Sequence, residues 1–329
     1  MNNQCKICAN SFGNETFVVR EMMYGTRENF TYFRCSSCGC LQITEPPKDM
    51  STFYPSDYYS LVQHEDKYTY CMHLKNVIKY CLINIYFFLP KIVRFFLKKA
   101  PYIRRFENSE KYKASLMLLR KMRKTSSILD VGSGTGFLLK EISIWGFRNL
   151  TGIDPFIEKD YFYSSGVKIF KRDIFSHSGT YDLIMLHHSF EHMDNQHLIL
   201  RQLHKLLNPH GILLIRIPVS DSFAFRKYGS NWFQIDAPRH FFLHTTRSML
   251  ILSKNSGFTL KQIIYDSNKD QFLESQNYCR DISFSEYNKK LPTDYYSTHY
   301  IKDCEKHARM LNRMMDGDQA CFIFQKLND

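Results

Sequence analysis

The chain has 329 residues, 44% of them hydrophobic and 23% charged, which suits one large globular core and excludes a disordered or fibrous chain. Its formal net charge of +12 is unevenly spread. Eight Lys or Arg and no Asp or Glu lie between Cys71 and Arg105, leaving 36 bases against 32 acids elsewhere, so the charge does not argue for a nucleic-acid partner.

The opening MNNQCKICANSFG has neither a basic n-region nor an apolar h-region. The expectation is a cytoplasmic protein whose ten cysteines are thiols or metal ligands, not disulfides. CKIC (Cys5, Cys8) and CSSC (Cys35, Cys38) are separated by 26 residues. Two such turns can close four thiolates around a structural zinc, and a hairpin of FVVREMMYG and FTYFR can span the gap. With four thiolates in place no coordination position stays open for catalysis, and Cys40 is left as a spare. Residues 1–45 thus read as a zinc-ribbon module, which ITEPPKD ends with two prolines.

Residues 46–110 read as an aromatic, basic helical linker or lid. Leu74, Val77, Ile78, Cys81, Leu82, Ile85, Phe88 and Leu89 fall at helical spacing. The following KIVRFFLKKAPYIRR offers residues 71–105 as a peripheral contact for the inner face of a membrane or a lipid-linked pyrophosphate. The segment does not span a bilayer, because its longest uncharged run, Tyr80–Pro90, has only 11 residues.

From Ser126 onward the pattern changes to short apolar runs, SILDVG, NLTGIDP, VKIFKRD, YDLIMLHHS and GILLIRIP, with helical stretches between several of them. HLILRQLHKLLN is expected to be a helix that stops at Asn208-Pro209. This alternation predicts an α/β fold with a doubly wound, mostly parallel sheet. TLKQIIYD and CFIFQKL are two more strand candidates, the last expected at the sheet edge, with a helical insertion over 268–317 before it.

ILDVGSGTGF (Ile128–Phe137) places a glycine loop after the first of these strands, where an open α/β sheet binds ligands. A dinucleotide fingerprint would need glycine at Phe137, and a P-loop would need Gly-Lys-Ser/Thr; neither is present. Asp130, two residues before Gly132, would repel a pyrophosphate but attract an ammonium group. Asp154, 22 residues after Gly132, is placed for ribose hydroxyls, and Asp173 for an adenine amino group.

With these residues the chain resembles the class I S-adenosylmethionine-dependent methyltransferases over 111–329. The resemblance implies a Rossmann-like sheet of seven strands, the last antiparallel. It implies a cofactor site of Asp130, Gly132, Ser133, Gly134, Thr135, Gly136, Asp154, Asp173, Ile174 and His187. Base N-methylation and cytosine C5-methylation are disfavoured, because His187-His188-Ser189-Phe190 replaces the Asn/Asp-Pro-Pro-aromatic motif and no Pro-Cys is present. A hydroxyl or an activated carbon remains as acceptor.

Methylating a hydroxyl requires a proton acceptor. HHSFEHM supplies His192, and DAPRHFFLHT supplies His240. Glu191-His192 is similar to the ubiquinone-biosynthesis O-methyltransferases, whose acidic cluster can hold a divalent cation, although His188 here replaces one acid. The segment around His240 resembles that of zinc-containing bacterial sugar methyltransferases, in which a His is the general base. Arg239 stands where those enzymes have an acid; an Arg there would depress the neighbouring imidazole's pKa, or could instead clamp a substrate phosphate or carboxylate. The resemblance implies methylation of a small molecule, a sugar or glycan precursor of a surface polysaccharide. The alternatives are a zinc-module RNA ribose methyltransferase and a cofactor-binding scaffold without catalysis; the oligomeric state is open.

Overall fold

The computed structural model describes residues 3–54 and 113–327. The linker reading of 55–110, including the membrane contact at 71–105, lies outside the described residues. The strands, in chain order, are β1 (Glu15–Arg20), β2 (Asn29–Arg34), β3 (Leu41–Ile43), β4 (Ser127–Val131), β5 (Asn149–Ile153) and β6 (Tyr161–Phe162). They continue with β7 (Lys168–Phe170), β8 (Tyr181–His187), β9 (Leu207–Pro218), β10 (Phe242–Leu243), β11 (Phe258–Tyr265) and β12 (Gln319–Lys326). The described residues fall into two compact units, one of 113–184 and one of 3–54 with 185–327.

In the unit of 113–184, β4 pairs in parallel with β5 and β5 with β7, which is the arrangement the alternating runs predict. The strands are apolar on both faces: Ile128, Leu129 and Val131 of β4 are all buried, as a sheet covered on both sides requires. The helix Phe137–Ile144 sets Leu138, Leu139 and Ile142 in the core. Outside the N-terminal sheet the described strands number eight, not seven. The addition is β6, a two-residue strand antiparallel to β7.

In the other unit, β12 lies antiparallel between β9 and β11. It is therefore interior, and β11 takes the edge that the sequence assigned to CFIFQKL. Six of its eight residues are buried, which an edge position would not produce. The helix Gln196–Leu206 ends two residues before Asn208-Pro209, and those residues instead open β9. Proline is tolerated there because it sits near the strand start.

The cysteine-bearing segment is built into this unit. β1 and β2 form the expected hairpin, β3 pairs with β2, and β10, about two hundred residues later, pairs with β3. One core joins Val19, Tyr32 and Leu41 to Trp232, Ile235 and Leu243. Residues 268–317 hold the helices Asp270–Cys279, Phe284–Tyr287 and Thr298–Arg313, which enclose Phe272, Leu273, Tyr287 and Leu311.

Candidate functional site

Three groups of residues gather polar chemistry: the glycine loop, a histidine cluster and the four cysteines.

The loop leaves β4 through Gly132, Gly134 and Gly136, all with positive φ. A Cβ on Gly136 would stand 2.5 Å from Ile169 Cδ1, and one on Gly152 would stand 2.5 Å from Ser133 Oγ. The loop thus lies close against β5 and β7 at two points where only hydrogen fits. The Gly132 and Ser133 amides donate to Ile153 O, and Tyr163 Oη donates to Thr135 O at 2.6 Å. Asp154 accepts from the Gly134 amide through Oδ2 and from the Phe156 amide through Oδ1, both at 2.9 Å.

Asp130 is buried, and its Oδ1 has no hydrogen-bond partner. Burial, and then the neighbouring Asp154 carboxylate, push its pKa up to about 8. An orphaned buried carboxyl oxygen beside a loop of open glycines suits a ligand that brings a cationic group. Asp173 is exposed, and its Oδ1 accepts from the amides of Phe175 and Ser176, while the Ser176 hydroxyl donates to its carbonyl. Ile174 beside it is buried, and His187 is the last residue of β8.

The histidine cluster lies in the unit that contains 185–327. Glu191 and His192 sit on a single 3-10 turn, Phe190–His192. His240 comes from the loop before β10. The rings of His192 and His240 meet edge to face, with centroids 4.6 Å apart. His192 Nδ1 bonds to Arg239 O at 2.9 Å and lies 3.2 Å from Tyr54 Oη; His240 Nδ1 bonds to Gln234 O at 2.7 Å. A carbonyl only accepts, so both Nδ1 atoms carry the proton and each Nε2 presents a lone pair. Burial, then His240, lowers the His192 pKa to about 4.

His188 lies beside this pair but is turned away. Arg216 donates to its Nε2, so its Nδ1 carries the proton and donates to Glu191 Oε1 at 3.2 Å. Arg216 is itself bonded to Asp266 at 2.6 Å. Glu191 is fully buried, and its Oε2 has no partner. Burial opposes its ionisation, but the His188 bond and the other imidazoles outweigh it and hold its pKa at about 2.

Arg239 does not clamp a substrate. Its guanidinium is fully buried and bonds to Asp236, to Glu21 at 3.0 Å and to the Phe53 carbonyl. Burying a charge demands such partners, and two carboxylates use its donors before any ligand arrives. Glu21 also accepts from the amides of Tyr24, Gly25 and Thr26. Sequence reasoning missed Glu21, for which no local pattern exists. Asp236, three residues before Arg239, carried the one available signal.

The four cysteines meet as their spacing predicts. Cys5 Sγ is 3.6 Å from Cys38 Sγ, Cys8 Sγ is 3.6 Å from Cys35 Sγ, and all four sulfurs lie within 4.8 Å of one another. Thiolates around a tetrahedral zinc at 2.3 Å stand about 3.8 Å apart, so this set fits such an ion. Donors surround the sulfurs: the Ile7 amide and Gln42 Nε2 point at Cys5 Sγ, and the Cys38 amide at Cys35 Sγ. Cys40 faces His244 at 3.9 Å, outside the cluster. Thr245 Oγ1 donates to Cys38 O, and Tyr32 Oη to His240 O, so the cysteine segment holds both ends of the loop that carries His240 and β10.

Residues 103–263 match the family model described as a methyltransferase domain. The chain is an S-adenosylmethionine-dependent methyltransferase. The matched stretch runs from before β4 to within β11, and so takes in both the glycine loop and the histidine cluster. Among solved structures, a 1,6-didemethyltoxoflavin N1-methyltransferase from Burkholderia thailandensis, with its substrate and S-adenosylhomocysteine bound, is similar to this methyltransferase. It is 14% identical, with a TM-score of 0.43 over 78% of this chain and 90% of that one. The cyclopropane synthase MmaA2 of Mycobacterium tuberculosis is 17% identical, with a TM-score of 0.40 over 61% of this chain and 78% of that one. No curated protein matches the chain.

Proposed function

We propose that this methyltransferase moves a methyl group to a hydroxyl of a small molecule, a sugar or glycan precursor of a bacterial surface polysaccharide. The observation that carries this reading is the pair of imidazoles, each with Nδ1 tied to a carbonyl, beside a buried carboxylate. In-line displacement at a sulfonium needs an oxygen nucleophile freed of its proton, and the Nε2 of such an imidazole can take it. Burial, and then the neighbouring His240 ring, make His192 a weak base, and His240 is the residue this reading assigns to that role. The four thiolates hold a structural zinc. The reading includes a cytoplasmic location with residues 71–105 against an anionic membrane. No helix among the described residues is long and apolar enough to cross one.

Turnover with a panel of sugar nucleotides, read by mass spectrometry of methylated product, tests the acceptor class. His240→Ala is expected to lower kcat by about 10²–10⁴-fold. If His240→Ala and His192→Ala each keep full turnover, neither takes the proton.

In the same reading Asp130 and the glycine loop hold the methionine end of the donor, and Asp154 its ribose. Asp130 is neutral below its raised pKa and ionised above it, and a cationic donor prefers the ionised form. Affinity for S-adenosylmethionine is therefore expected to rise between pH 6 and pH 9, by up to about tenfold per pH unit below the pKa, with proton release on binding. Calorimetry in buffers of differing ionisation enthalpy measures both effects. Asp130→Asn should bind more weakly at high pH and show no such slope; an unchanged slope would assign the proton elsewhere.

A further inference from the structure

We infer that Glu191, His192 and His240 form a divalent-cation site separate from the cysteine cluster. One ligand atom from each lies within 4.8 Å of the other two, and His240 Nε2 is 4.0 Å from Glu191 Oε1. Ligand atoms held about 2.1 Å from an ion stand about 3–4 Å apart, so closing the set takes only a small inward movement.

Three further observations support the assignment. Both imidazoles donate Nδ1–H to a backbone carbonyl, which fixes the tautomer and aims Nε2 inward, as the outer shell of a metal site does. Glu191 Oε2 is an orphaned acceptor on a fully buried side chain, which a cation would satisfy. The charges also leave a deficit. Among the described residues, the Arg239 guanidinium faces the two carboxylates of Asp236 and Glu21, Glu191 bonds to the His188 imidazole, and Arg216 is matched by Asp266. A divalent ion brings that interior to neutrality, where unpaired charge is costly.

Two imidazoles and one carboxylate suit manganese, iron, cobalt, nickel or zinc, with positions left open for ligands from solution or substrate. The binding claim stands alone; the role given to the ion rests on the hydroxyl-methylation reading. An acceptor hydroxyl coordinated there becomes more acidic and loses its proton to water. Its oxygen then forms the new O–C bond as the S–C bond breaks, and neutral S-adenosylhomocysteine leaves. With the ion bound the two imidazoles are its ligands, so this role replaces the base role given to His240 above, and the loss of turnover in His240→Ala then reports loss of the ion.

The experiment titrates the full-length, zinc-loaded protein with Mn²⁺, a poor partner for thiolates, and follows free Mn²⁺ by electron paramagnetic resonance. The expected result is a second ion per chain, with affinity roughly a hundredfold or more weaker in Glu191→Gln and His240→Ala. Zinc content and the thermal transition report whether these variants fold. Should they not, Co²⁺ added to the wild type decides, through absorption bands of nitrogen and oxygen ligation without new thiolate charge transfer. The inference is overturned if the wild type takes up no Mn²⁺ or Co²⁺ beyond the cysteine site, or if folded variants bind as the wild type does. Turnover is measured separately: binding without methylation of any sugar acceptor would remove the functional reading and leave the metal site.

Discussion

Arg239→Met is expected to lower the unfolding free energy by about 3–5 kcal/mol, the cost typical of removing one partner from a buried ion pair. The loss arises because Asp236 and Glu21 stay behind, both shielded from water, with no cation to face. Adding Asp236→Asn and Glu21→Gln to the same chain should restore much of the stability, since a neutral interior avoids the desolvation cost altogether. Urea unfolding of the single and triple variants measures the difference; equal midpoints for the two would refute the account. The sign with pH follows from Asp236. Burial alone would raise its pKa, but the Arg239 guanidinium outweighs burial and lowers it. The stability contributed by the pair is therefore complete above the ordinary carboxylate range and fades as pH falls through the lowered value.

The second large effect concerns the cysteine cluster. Cys38→Ser, or removal of the metal by a strong chelator, is expected to abolish methyl transfer while leaving donor binding at the glycine loop within about threefold. Structural zinc sites contribute folding free energy of about 10–16 kcal/mol in small domains, so losing one ligand reaches well beyond the cluster. Here β3 pairs with β10, Thr245 bonds to Cys38 O, and Tyr32 bonds to His240 O. Loosening this scaffold frees the loop that carries His240. Hydrogen exchange over 232–245, with calorimetry for the donor, separates the two regions. Full activity in a zinc-free chain would show that the cluster does not organise that loop.

Local features were the legible ones. Glycines that need positive φ, a strand ending in an acid, and cysteine pairs with two residues between them each announce their geometry within ten residues. The parallel strands followed from the same short-range alternation. What stayed hidden depends on distance in the chain. Nothing near Glu21 foretells Arg239, and nothing in CFIFQKL tells an interior strand from an edge one, because apolar runs suit both. The chemistry of a guanidinium suggested Arg239 as a ligand clamp, at a place where the resembled enzymes have an acid. The structure gives its donors to Asp236 and Glu21, since a buried cation must be matched from within.

The pairing of β3 with β10 has a consequence for biogenesis. During synthesis the thiol-bearing hairpin leaves the ribosome early, yet its third strand gains its neighbour only after residue 243 has emerged. Until then Leu41 and Ile43 keep an unpaired flank, a surface prone to sticking to other nascent chains. Early capture of the ion would hold the hairpin in register through that wait. Cells starved of zinc should therefore accumulate this polypeptide in inclusion bodies, not as a soluble apoprotein.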